Sequence, residues 1–483
     1  MIWLFIGVAF MAVVTLAALM ASRPVTVLYA LALVVSLVGI NIHIGATIYL
    51  SRIMLFLFLL ALIVRSAVGR RGGFQLECLS RFISVFPLIL LVQLIAVLSS
   101  SRVSDGLRIM FIYMNVMAIF ITVVIVGTRS EFIIKAIKFY LVTGLVQGVY
   151  GLYQVIGGNM GMNWPTYQTF MAGISTANDQ SIGGYSYAGS YGLFRAAGFF
   201  PADVSHYAGY MAGVLLIAMG LVAHKRRKIL PYLVIVAGLM GLLLSLSRSG
   251  IAAFILIGIP SLLFVRWRAH LTASHAWRHV TILLSLVIMG SVIMSQFVGD
   301  SANIDFPRVF DALSSRFSDV IDPGVSEAGS MEGHIITRLL AIDAWMSSPL
   351  FGVGLGVNAS HWYSERYQTV WGGAHSHHFD ILGQTGLLGA CLEWYFMLIV
   401  GLYMWHGLKA SCRDSEERNI LAGILAAYIT ILLGNFFYYY YLNDFVWFLM
   451  GCGVALSRSI IQETRTEAFM KTAISAENPN YAW

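Results

Sequence analysis

Runs of about 20 apolar residues recur along this chain from one end to the other, each long enough to cross the roughly 30 Å hydrocarbon layer of a bilayer. No water is present at that depth, so the backbone must bond to itself, and a run of this length does so as a helix. Composition points the same way: 58% of the 483 residues are hydrophobic and 11% charged, with a mean hydropathy of +0.78. Soluble domains carry about 25% charged residues. The chain therefore reads as an all-α integral membrane protein.

Spans are expected at 2–21, 25–41, 46–64, 82–99, 109–127, 133–156, 203–223, 229–247, 250–265, 279–298, 379–405, 419–440 and 443–457. That makes about 12–13 transmembrane helices, twelve if Asn41–Gly45 only breaks a helix. The start, Met1-Ile-Trp-Leu-Phe, has no basic leader or small-residue cleavage site, so no removable signal peptide is expected. The net charge of +7 fits loops held on the cytoplasmic side better than a nucleic-acid partner. The cysteines Cys78, Cys391, Cys412 and Cys452 fall in apolar spans or inner loops, and no disulfide is expected.

Two strongly basic loops fix an orientation. Arg65, Arg70, Arg71 and Arg81 lie in one, and HKRRK from His224 to Lys228 forms the other; both belong inside. An even number of spans separates them. The loops around Lys135 and Lys138, around Arg266, Arg268 and Arg278, and around Lys409, Arg413 and Arg418 then also fall inside, with the tail carrying Arg458, Arg465 and Lys471. Residues 1–298 form the first ten helices with a flexible outer loop at 157–201, and 299–378 form one large outer loop. Residues 379–457 carry the last helices, and 458–483 a cytoplasmic tail. The 157–201 segment is rich in Gly, Ser, Tyr and Asn, whose tyrosines either stack on sugars or form an interfacial belt. In the large loop, Phe306, Val309, Phe310, Leu313 and Phe317 recur at helical spacing, and a second helix is expected from His334 to Met346, ending before Pro349.

The residues able to carry chemistry gather on the outer face. Arg195 precedes the seventh span, Arg248 sits in LSLSRSG at a hairpin tip, and Arg338 lies on the loop helix. Arginine near a bilayer either snorkels to headgroups or pairs with an anion, and a guanidinium grips phosphate oxygens in bidentate fashion. The turn Gly352-Val-Gly-Leu-Gly356 either bends the chain tightly or offers amides to a phosphate. The cluster His375, Ser376, His377, His378 allows three roles: metal binding together with Asp380, a polar helix start, or a general base whose neutral imidazole takes a proton from a sugar hydroxyl.

In order, RAAGFFPADVSHYAGYM, LSLSRSG, the stretch LLAIDAWMSSPLFGVGLGVN after Arg338, and AHSHHFDILGQTGLLGA resemble the O-antigen ligase and O-antigen polymerase superfamily of bacterial envelope polysaccharide enzymes. The resemblance covers roughly Ala136 to Ala455. Members of that family commonly show a histidine followed by asparagine, eleven residues before Gly-Leu-Leu-Gly; counting back from Gly386 reaches His375, with Ser376 where asparagine is usual. The resemblance implies a C-type glycosyltransferase-like fold with one large, partly helical periplasmic loop. It implies His375 as catalytic residue and Arg195, Arg248 and Arg338 as ligands of a substrate diphosphate.

The implied reaction is inverting glycosyl transfer without metal or cofactor, at the periplasmic face of the bacterial inner membrane. The donor would be a glycan on undecaprenyl diphosphate. The acceptor would be another glycan during O-antigen, capsule or exopolysaccharide assembly if the chain is a polymerase, the favoured reading, or lipid A–core if it is a ligase. Membrane lipid, a flippase and a chain-length regulator would be its partners. A lipid-glycan or polysaccharide transporter and a non-catalytic scaffold are the rival classes. The chain shows no internal repeat of the kind many transporters carry.

Overall fold

In a computed structural model, residues 22–37, 41–43, 47–67, 82, 84–159, 186–188, 193–200, 204–222, 229–268, 330–357, 374–412 and 415–477 are described. The apolar runs form helices: α1 (Val25–Val34), α2 (Leu50–Ala67), α3 (Val85–Leu98), α4 (Val103–Val126), α5 (Ser130–Asn159), α6 (Val204–Val222), α7 (Ile229–Leu244), α8 (residues 248–268), α9 (Ser330–Ser347), α10 (His377–Ala410), α11 (Glu416–Gly434) and α12 (Asp444–Glu477). Seven of these are long and apolar enough to cross a membrane, and α1, α3 and α7 are shorter apolar helices. The chain is a multi-pass, all-α membrane protein whose only strands, among the described residues, are two short antiparallel pairs, β1 (Asn41–His43) with β2 (Thr47–Tyr49) and β3 (Ser186–Ala188) with β4 (Leu193–Arg195). The expected spans 2–21 and 279–298, the helix at 306–317 and most of the 157–201 segment lie outside the described residues, as do Cys78 and the two most basic loops. The expected loop helix is present as α9 and stops before Pro349.

α6 is apolar around its whole circumference, and every residue from Tyr207 to Leu221 is buried. It sits between α5, α7 and α11 as the centre of the bundle. Small residues bring α6 and α11 together: a Cβ on Gly220 would meet the Asn419 carbonyl at 2.6 Å, and one on Gly423 would meet Ile217 Cα at 2.7 Å. Such close backbone approach is how helices associate where lipid removes the hydrophobic drive.

Polar contacts sort the helix ends onto two faces. On one, Ser51 bonds Asp444, Leu355 N–H donates to Ala96 O, and His206 Nε2 meets Tyr439 O. On the other, Lys138 pairs with Glu416 at 2.8 Å, Arg458 Nη2 donates to Gly127 O, and Ser130 N–H donates to Ser459 Oγ. Among the described residues, Lys135 and Lys138, expected inside, lie at the second face.

Three expectations need correction. The apolar run at 443–457 is part of a 34-residue helix, α12, that continues to Glu477, about 51 Å at 1.5 Å per residue and longer than the bilayer is thick. The runs 419–440 and 443–457 do not nearly meet: α11 stops at Gly434, and residues 435–443 form a turn rich in aromatic residues. Hydropathy treats Phe and Tyr as apolar and so absorbs this turn into its neighbours.

The third correction concerns 379–405, expected as one span. Gly386 in α10 has φ 65° and ψ −167°, outside any helix. His377 and Glu393 are 16 residues apart, which a straight helix would separate by about 24 Å, yet His377 Nε2 and Glu393 Oε2 lie 2.8 Å apart. His378 and Trp394, with the same spacing, are also bonded. The chain therefore folds back at Gly386. The backbone groups freed by the break are met by the loop after α9: Leu387 N–H donates to Pro349 O and Leu388 N–H to Leu350 O, while Val353 and Gly354 N–H donate to the Gly383 and Gln384 carbonyls.

Candidate active site

The glycine turn 352–356 is a structural wedge. Gly352, Gly354 and Gly356 have φ of 72°, 118° and 90°, and a Cβ on any of them would strike the backbone of α10, of Ser100 after α3, or of α4 within 2.6 Å. Glycine is needed here because both the left-handed backbone and the close approach exclude a side chain. The amides from 352 to 357 all donate within the protein, to Ser348 O, Gly383 O, Gln384 O, Ala96 O, Gln384 Oε1 and Gly354 O in turn. The alternative that they bind a phosphate is thereby removed.

The turn leading into α10 is built around His375. Its φ is 49°, a left-handed conformation uncommon for a residue with a Cβ and typical of positions held by their surroundings. The surroundings are explicit. Ala374 N–H donates to Asp380 Oδ1, Ser376 Oγ–H donates to Asn435 O, and His377 N–H donates to the same carbonyl. The His375 ring faces Tyr438 with centroids 6.2 Å apart and is half-buried.

The other two histidines have internal roles. His378 Nδ1 accepts from the Trp394 indole, so Nε2 carries the proton and donates to Leu432 O; both ring nitrogens are used, and none remains for a metal. His377 is fully buried on Glu393, with its ring 4.5 Å from that of Tyr441 and 5.1 Å from that of Tyr439. A metal held by His377, His378 and Asp380 is thus incompatible with the way these side chains are bonded.

The arginines connect to residues 435–442 by two routes, Arg338 directly and the Arg195–Arg248 hairpin through α6. Arg338 on α9 stands over the Phe437 ring at 5.9 Å, beside the residue that faces His375. Its Nε is buried without a hydrogen-bond partner, and burial pulls its guanidinium below the ordinary arginine value. Arg248 opens α8, with Ser247 as its N-cap accepting from Gly250 N–H. An arginine at a helix N-terminus adds its charge to the positive end of the helix dipole. Arg195 supports this tip from behind: its Nε donates to Ser245 O at 2.8 Å and Nη2 to Leu246 O at 3.2 Å. These two bonds tie Arg195 to the hairpin.

Sequence reasoning missed what joins the two routes. The turn after α11, Asn435-Phe-Phe-Tyr-Tyr-Tyr-Tyr-Leu, meets His378 through Phe436, Arg338 through Phe437, His375 through Tyr438, and His377 through Tyr439 and Tyr441. Asn435 Oδ1 accepts from the Tyr440 and Tyr441 amides and fixes its shape. His206 on α6 packs on Tyr438 at 5.2 Å, and its neighbour Ser205 accepts from Ser247 Oγ in the Arg248 hairpin. Glycine and asparagine at 434–435 are a helix-stop signal that could have revealed this turn. Glu393, an ionisable residue within an apolar span, was likewise a visible pointer.

Residues 232–392 match the family model Wzy_C, described as O-antigen ligase. That stretch is similar to an O-antigen ligase domain. The matched stretch is about one third of the chain and contains Arg248, Arg338 and His375, while Arg195, His206 and the aromatic turn lie outside it. No curated protein matches the chain. The match supports membrane glycosyl transfer of the ligase or polymerase type.

Proposed function

We propose that the chain is an inverting, metal-independent glycosyltransferase that acts at the periplasmic face of the bacterial inner membrane. It moves a glycan from undecaprenyl diphosphate to an acceptor glycan, as the polymerase of an O-antigen, capsule or exopolysaccharide. The observation that carries this reading is the seating of His375 and Arg338 on adjacent residues of one turn, Tyr438 and Phe437. A base and a phosphate-binding cation must act on opposite ends of the same anomeric centre, so they need a shared support.

In this reading His375 removes the proton from the acceptor hydroxyl as that oxygen attacks the anomeric carbon. The bond to the diphosphate oxygen breaks on the far side, with inversion, and the lipid diphosphate leaves. Arg338 and Arg248, the latter with the α8 N-terminus, stabilise the charge that develops on the leaving group. Arg195 holds the Arg248 hairpin in place. The half-buried Arg338, with an unpartnered Nε, has most to gain from an anion. The preference for polymerase over ligase rests on chain length and the GFFPADVSHYAGYM sequence.

Product analysis of His375→Ala in cells tests both points. A polymerase defect leaves single repeat units on lipid or core, and a ligase defect leaves long chains unattached. Normal glycan length and attachment would overturn the assignment of His375.

A further inference from the structure

We infer that His377 and Glu393 are a positioning pair that sets the reactive turn at His375; the inference rests on the glycosyl-transfer reading and deepens it. Neither residue touches solvent, with side chains 0% and 1% exposed. Neither can meet a substrate in this arrangement, and their effect must pass through neighbours.

The route is short. The pair ties the first half of α10 to the second across the break at Gly386. His377 is two residues from His375, and its own amide is bonded to Asn435 O. Its ring packs on Tyr439 and Tyr441, which follow the turn residue Tyr438 that faces His375. A shift of the His377 ring therefore moves both the backbone that carries His375 and the aromatic wall beside it. The α4 contribution is Tyr113, whose ring lies 6.4 Å from that of Tyr441 and whose buried hydroxyl faces Glu393.

Packing alone does not explain the choice of residues. An apolar pair would fill this site without desolvating a carboxylate and an imidazole in a membrane span. What a hydrogen bond adds is direction: it fixes the ring plane of His377 and the angle between the half-helices. The gain is geometric, and small displacements of a reactive group have large kinetic effects.

The test compares Glu393→Leu, Glu393→Gln and the double variant His377→Gln/Glu393→Gln in purified full-length protein, with undecaprenyl diphosphate-linked oligosaccharide from the source strain as donor. Each variant is first checked for a monodisperse peak in detergent. Loss of the bond in Glu393→Leu should lower kcat by about 30-fold or more with donor KM within about threefold. Glu393→Gln, which preserves an acceptor for Nε2–H, should keep at least about one third of kcat. If Glu393→Leu does not fold, the double variant decides, since an amide pair can restore the bond; near-parental kcat supports positioning and a collapse of kcat overturns it.

A second readout needs no transfer. The rate at which diethyl pyrocarbonate modifies His375, followed by peptide mass spectrometry, should change at least about threefold in Glu393→Leu and stay parental in Glu393→Gln. An unchanged rate in Glu393→Leu, or unchanged kcat, overturns the inference. A fully active His375→Ala with an altered His375 environment in Glu393→Leu would instead sink the catalytic reading and leave the positioning contact standing.

Discussion

Replacing Gly386 by alanine tests whether the fold-back of α10 is what the site depends on. The residue sits at φ 65° and ψ −167°, a region open essentially to glycine alone. A side chain there adds strain of about 1–3 kcal/mol. The new Cβ would also lie 2.4 Å from the Leu350 carbonyl carbon and 2.5 Å from Phe351 N, both backbone atoms that cannot swing aside. Relief requires the loop after α9 to retreat, which breaks the Leu387 N–H to Pro349 O and Leu388 N–H to Leu350 O bonds. At about 1 kcal/mol net for each, the total is about 3–5 kcal/mol, a large share of the margin of a typical fold. Gly213→Ala is the matched control, because its nearest neighbours stand at 3.7 and 3.8 Å, ordinary contact. Thermal unfolding in detergent, with glycan transfer measured on the same samples, should show Gly386→Ala clearly destabilised and Gly213→Ala at or slightly above the parent. Equal melting of the two variants would refute the fold-back.

Other outcomes follow from single contacts. Arg338→Lys keeps a charge but not the planar fork, and should lower transfer by about tenfold or more with little change in melting, because the buried Nε it removes has no hydrogen-bond partner among the described residues. Arg195→Gln should lose stability of about 1–3 kcal/mol together with activity, since its donors cap the Ser245 and Leu246 carbonyls; loss of activity at unchanged stability would mean that the hairpin contact is idle. Trp394→Phe removes the donor to His378 Nδ1, and should destabilise by about 1 kcal/mol while transfer persists, as checked by unfolding and product length.

The fold was largely legible because a bilayer permits so few solutions. Apolar length placed α5, α6 and the start of α7 close to their observed bounds, and Lys138, expected inside, lies with the Glu416 end of α11. The break in α10 was not legible. GQTGLLGA is apolar enough to continue a helix, and the hydrogen-bond partners that permit a break come from Pro349 and Leu350, more than 30 residues earlier. A glycine in a span reads alike whether it serves close packing, as Gly220 does, or a reversal, as Gly386 does. Only the partner facing it distinguishes the two.

The three histidines of the cluster differ in their surroundings in a way that sequence spacing does not reveal. His375, His377 and His378 are the same side chain within four positions, yet they meet three different environments. The half-helix that starts at His377 turns His377 and His378 toward the second half of α10, where a carboxylate and an indole receive them. His375 precedes the helix and takes a left-handed backbone, which sends its ring the other way, to Tyr438. Helical geometry thus buries two histidines as anchors and leaves the third on the side where Arg338 stands over Phe437. A reactive base needs neighbours that do not yield when it takes a proton. Two histidines bonded to Glu393, Trp394 and the α11 carbonyl of Leu432 supply that rigidity within three residues of the ring that would use it.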